Sequence, residues 1–134
     1  MARMILLVLG FGALAPAAGV AAAPCAGVDT ALTEAREAAS APLVAQSVSA
    51  EVAAKDVSVG HYFAEGAWFV IGAEIPVADG EGYFFFERAG GAARLHDVWG
   101  GYADPSEAGA LADWARALGA PDALARCFAD VVTR

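Results

Sequence analysis

Residues 57–99 constrain the fold most, because they read as four short strands with glycine-bearing turns between them. Val57, Val59, His61 and Phe63 alternate with Ser58, Gly60 and Tyr62, the period-two pattern of a strand. Glu65-Gly66 punctuates, and residues 67–75 are then almost wholly apolar, as in a strand buried on both faces. Residues 76–82 form a loop with the turn dipeptide Asp79-Gly80. A third strand, Tyr83-Phe84-Phe85-Phe86-Glu87-Arg88, leads into Gly90-Gly91, which suits a tight hairpin. Residues 93–99 supply a fourth strand, so the expectation is a four-stranded antiparallel meander.

Helical signals flank this meander, which makes the expected class α+β. Asp29 or Thr30 can cap a first helix running to about Ala41, with Leu32, Ala35, Ala39 and the carbons of Arg36 on its apolar face and Pro42 as its stop. Residues 43–55 fit two periods. Val44, Val48 and Val52 recur every four residues, while Val44, Val48, Ala50 and Val52 also fit alternation; the alanine content favours helix, so one or two N-terminal helices are expected. After Gly100-Gly101, Asp104-Pro105-Ser106-Glu107 predicts a helix start with Asp as cap, Pro in the first turn and Glu completing a capping box. Leu111, Trp114, Ala115 and Leu118 give that helix its stripe, and Gly119 ends it. Pro121 opens a last helix with Leu124, Cys127, Phe128 and Val131 on one face.

The opening of the chain reads as an export signal rather than as part of the domain. Arg3 precedes an uncharged apolar run, residues 5–14, and then a small-residue stretch, residues 15–23. The run is shorter than the ~20 apolar residues a spanning helix needs, and Pro16 and Gly19 interrupt the small-residue stretch after it. Cleavage is expected after Ala22 or Ala23, so the expected organisation is a signal peptide over 1–22 and one secreted, periplasmic domain over 23–134. Beyond residue 22 stand seven basic and sixteen acidic residues, a net charge of −9. That balance argues against nucleic acid or an anionic lipid surface as partner, since both demand clustered Lys and Arg.

Cys25 and Cys127 are the only cysteines, and in an oxidising compartment they read as one disulfide closing a loop of about 100 residues. The bridge matters because 35 of 134 residues are alanine, so the core has few large side chains to draw on.

Candidate chemistry is sparse. His61 and His96 are the only histidines. With carboxylates they could hold a metal or act as a base, but no spacing demands three or four ligands, and no cofactor is implied. Asp97 follows His96 directly, so on a regular strand the two side chains point to opposite faces. No methionine lies beyond residue 22, which leaves no thioether for a copper site. The aromatics are concentrated instead: ten of thirteen fall within residues 62–102. Trp68, Tyr83, Phe85 and Trp99 are the candidate binding residues of an aromatic sheet face, open to a small apolar ligand or another periplasmic protein unless helices cover both sides.

Several segments resemble small secreted proteobacterial proteins of the copper uptake system-associated type. Glu65-Gly66-Ala67-Trp68 is similar to their tryptophan segment, Phe84-Phe85-Phe86-Glu87-Arg88 to an apolar strand ending in basic residues, and Gly90-Gly91 to the hairpin turn. Trp99-Gly100-Gly101 is similar to the strand exit, with tryptophan where those proteins carry cysteine, and Leu118-Gly119-Ala120-Pro121 to the last helix start. The resemblance covers residues 57–131 and implies an accessory role linked to copper handling. The expected function is therefore a non-enzymatic binding protein acting through its sheet. The alternatives are a secreted protein inhibitor, or a small enzyme using His61 or His96 with a carboxylate.

Overall fold

The Gly90-Gly91 corner shows how local chemistry sets the sheet: both residues take positive φ, 58° and 82°, which a side chain would oppose, and the chain reverses there within two residues. The computed structural model describes residues 23–134; the expected signal peptide lies outside the described residues. Strands β1 (Ser58–Glu65), β2 (Trp68–Glu74), β3 (Glu81–Ala89) and β4 (Ala92–Gly100) pair antiparallel in the order β1-β2-β3-β4. One helix precedes the sheet, α1 (Glu34–Val48), and two follow, α2 (Ala108–Leu118) and α3 (Asp122–Val132). This is the expected α+β meander.

The first helix departs from expectation at both ends. Asp29 does not cap it, because its backbone is already spent on the sheet: its N–H and C=O each pair with Ala64 at 2.9 Å. Thr33 caps instead, its hydroxyl accepting from the Arg36 N–H at 3.2 Å. Nor does Pro42 end the helix. An interior proline costs roughly 3 kcal/mol, but stopping there would expose Val44 and Ala45, which the second half of α1 buries against the sheet. Residues 43–48 are thus helical as the alanine content suggests, but as the end of α1, so one N-terminal helix forms of the one or two expected, and the chain continues through a 3₁₀ turn, Ala54–Asp56.

At the other end the local signals hold. The Glu107 carboxylate accepts from the Asp104 N–H at 2.6 Å and completes a capping box ahead of α2. Gly119 ends α2 in the left-handed region, φ 105°.

Two apolar layers result, one on each face of the sheet. On one face α2 and α3 cover Phe63, Trp68, Val70, Tyr83 and Phe85, with Leu124 and Phe128 at the centre. On the other, α1 covers Tyr62, Phe69, Ile71, Phe84 and Phe86 through Val44. The disulfide forms as expected: Cys25 and Cys127 are joined, and Cys127 is fully buried in the α2–α3 layer. Among the described residues no helix is long and apolar enough to cross a membrane.

Candidate functional site

The two-sided cover relocates the expected aromatic face. Trp68, Tyr83 and Phe85 are 8%, 5% and 0% exposed, and Trp99 is half-buried against the same layer. The expectation of an open aromatic sheet is corrected: these rings are core. Phe85 meets Trp114 and Phe128 edge to face at 5.3 and 4.9 Å, an arrangement of interior packing. A partner arriving from solvent meets other side chains.

The histidines do not converge. They stand on β1 and β4, the two edges of the sheet, three strand spacings apart and in different register rows. Among the described residues no three His, Cys, Asp or Glu side chains gather to hold a metal. Each histidine meets its own glutamate instead, and neither glutamate stands out in the sequence.

His61 and Glu81 form the better-built pair. His61 Nδ1 lies 2.7 Å from Glu81 Oε1, while the Tyr83 hydroxyl donates to Glu81 Oε2 at 3.1 Å. Glu81 is on β3 and His61 on β1, so the carboxylate must cross the whole of β2. It crosses at Gly72, which pairs with both His61 and Tyr83 in register. A Cβ at Gly72 would sit 2.6 Å from Glu81 Oε1, 2.9 Å from His61 Cβ and 3.0 Å from Tyr83 Cε1. An isolated glycine inside an apolar strand signals such a close approach, and it is the one trace of this site in the sequence. Burial, reinforced by the neighbouring Glu81 carboxylate, pushes the Tyr83 phenol up, so it stays a neutral donor at neutral pH. Gly72→Ala is expected to part the pair and to cost about 1–3 kcal/mol by overpacking. Urea denaturation checks this; a wild-type midpoint would show that β2 has room to spare.

His96 occupies a β-bulge: Phe85 pairs with Asp97 and Phe86 with Leu95, which leaves His96 as the extra residue. Its ring stacks on Trp68 at 4.3 Å, and its buried Nε2 is 3.9 Å from Glu87 Oε1, beyond hydrogen-bond distance. Asp97 does not orient it, as expected; that carboxylate accepts from the Val98 N–H at 2.8 Å on the outer edge of the sheet.

A second candidate lies at the open end of the sheet. The large apolar side chains exposed among the described residues are Val77, Val98 and Tyr102, at 65%, 38% and 93%. All three belong to one region. Val98 lines a slot of about 270 Å³ with Ile75, Phe84 and the glycines 80, 82 and 100. Tyr102 lies over Gly80, whose added Cβ would be 3.7 Å from the phenol oxygen, and Val77 sits in the same β2–β3 loop. Neither Val77 nor Tyr102 carries any sequence signal, because exposure of a lone apolar residue is not written in local periodicity.

No protein-family model, curated protein or solved structure matches this chain.

Proposed function

We propose that this chain is an exported, non-enzymatic binding protein whose partner is another protein, engaged at the open end of the sheet. The observation that carries the reading is that exposed Val98 lines an apolar slot, while exposed Tyr102 lies over Gly80 of the same slot and exposed Val77 belongs to the loop that carries Gly80. A nearly bare tyrosine beside exposed valines suits a protein interface, where aromatic residues supply large contact area. The aromatic core then serves as a rigid platform for that end and not as the contact surface. Export to the periplasm is supported by the order of Arg3, apolar run and small residues, and by a disulfide that suits an oxidising compartment. An inhibitor acting through the same end is the narrower form of this reading.

A photo-crosslinking amino acid at position 102 tests it in cells that make the protein. A discrete adduct is expected from position 102, absent when the probe replaces exposed Glu37 on α1, and lost on adding Val98→Asp. Identical adduct patterns from both positions would remove the reading.

A second reading rests on the 2.7 Å contact between His61 and Glu81. A carboxylate on Nδ1 leaves Nε2 available as a base or as a metal ligand. A role in copper handling enters here, because such a carboxylate orients the free Nε2 as one metal ligand, the others having to come from outside the pair. Loss of the cellular phenotype in His61→Ala, with the fold intact, would favour it over the apolar end.

A further inference from the structure

The α1 face holds a slot of a different character. Ala35, Ala39 and Leu43 of α1 form one wall, and the rings of Tyr62 and Phe69 form the floor. The slot measures about 210 Å³. It exists because α1 presents alanines where larger side chains would have filled the space above the two rings. Two arginines sit over that floor: the Arg36 guanidinium carbon is 4.5 Å from the Tyr62 ring centre, and that of Arg88 is 4.4 Å from the Phe69 ring centre.

The two arginines differ in how their charge is spent. Asp29 takes Arg36 in a two-pronged pair, at 3.0 and 2.5 Å, and the Ala31 carbonyl accepts from it at 2.7 Å. The hydrogen bond from Arg36 holds the Asp29 carboxyl at about 2, well below the usual carboxylate range. Arg116, Arg126 and Arg134 are likewise paired with aspartates. Arg88 has no carboxylate partner among the described residues, and residues 1–22 contain no acid to supply one. An unpaired guanidinium therefore stands at the mouth of an aromatic-floored slot, in a domain that otherwise carries a large excess of acid.

We propose that this slot binds a small amphipathic carboxylate, with the apolar body between the α1 alanines and the Tyr62 and Phe69 rings and the carboxylate on Arg88. A guanidinium takes a carboxylate through two parallel N–H donors, which fixes the ligand's direction. The volume limits its size, being below the 300–1,000 Å³ of clefts that hold drug-sized molecules. Asp29, the acid bonded to the slot's Arg36, is already paired with that arginine.

Hexanoate and hexanol distinguish the charge from the tail, with amide chemical shifts read on the purified protein. Hexanoate is expected to shift residues 35–43, Tyr62, Phe69 and Arg88, and hexanol to bind about tenfold more weakly or worse. Arg88→Gln should bring hexanoate to the level of hexanol, and Ala39→Leu, which fills the slot without touching charge, should abolish both. Equal binding of the two probes by the wild-type protein, or hexanoate affinity unchanged in folded Arg88→Gln, overturns the proposal. So do shifts centred elsewhere. Because the wild-type comparison stands alone, the proposal stays decidable even if either variant fails to fold. The slot lies on the opposite sheet face from His61 and away from Tyr102, so its failure leaves both functional readings, the apolar end and the His61–Glu81 pair, untouched.

Discussion

Replacing Cys25 with serine and Cys127 with alanine is expected to lower stability by about 2–4.7 kcal/mol, one of the two largest losses available to this domain. The bridge spans 102 residues, so it restrains almost the whole unfolded chain at once. It also has a local task. The N-terminal segment is held by the two-bond bridge between Asp29 and Ala64, by the Arg36 bonds to Asp29 and Ala31, and by Val28 and Cys25, which pack against the α2–α3 layer. The choice of substitutes comes from burial. Cys127 is enclosed, and a serine hydroxyl there would be left without a partner at about 1–3 kcal/mol, whereas half-buried Cys25 tolerates one. Urea unfolding should show a lower midpoint and a steeper slope, because the uncrosslinked chain exposes more surface. An unchanged midpoint would mean that residues 25–33 are held by other contacts.

The meander is legible in the sequence because its signals are local. Alternation in residues 58–63, an apolar run ending near Glu74, and Gly90-Gly91 each act within a few residues, and the strand order comes from short turns. The capping box at Asp104 is legible for the same reason. The first helix is not, since its limits depend on distant partners: Asp29 is drawn into the sheet by Ala64, and Pro42 is tolerated because Val44 is buried beyond it. The His61–Glu81 pair lies out of reach by the same logic. It joins residues twenty apart across an intervening strand, and it depends on Gly60 as a bulge in β1 and on Gly72 as a gap in β2. The aromatic surplus suggests a binding surface because both faces of β3 are apolar. Alanine-rich helices nevertheless cover it, since small side chains let a helix approach closely, and they leave room at the α1 slot.

Phe128→Ala is expected to cost about 3–5 kcal/mol, with the upper half of that range favoured by its surroundings. The ring is fully buried on α3 and touches four others: Phe85 at 4.9 Å, Tyr83 at 5.5 Å, and Trp99 and Trp114 at 5.9 Å each. The contacts to Tyr83, Phe85 and Trp99 are edge-on, an arrangement that adds about 0.5–1.5 kcal/mol per aromatic pair beyond burial alone. Truncation also leaves a cavity that cannot readily close. Its walls are a sheet on one side and a helix pinned by the Cys127 bridge on the other, and the neighbouring α3 residues Ala125 and Ala129 are too small to fill it. Near-ultraviolet circular dichroism should lose the signal of packed tryptophans, because Trp99 and Trp114 both lean on this ring, while the far-ultraviolet helix and strand signal persists at low temperature. Phe128→Leu, which keeps most of the volume but removes the ring edge, should fall between alanine and wild type. Equal stability of the leucine variant and wild type would show that volume, and not ring geometry, holds the α2–α3 layer to the sheet. A loss under about 1 kcal/mol in the alanine variant would remove Phe128 from the centre of the core altogether.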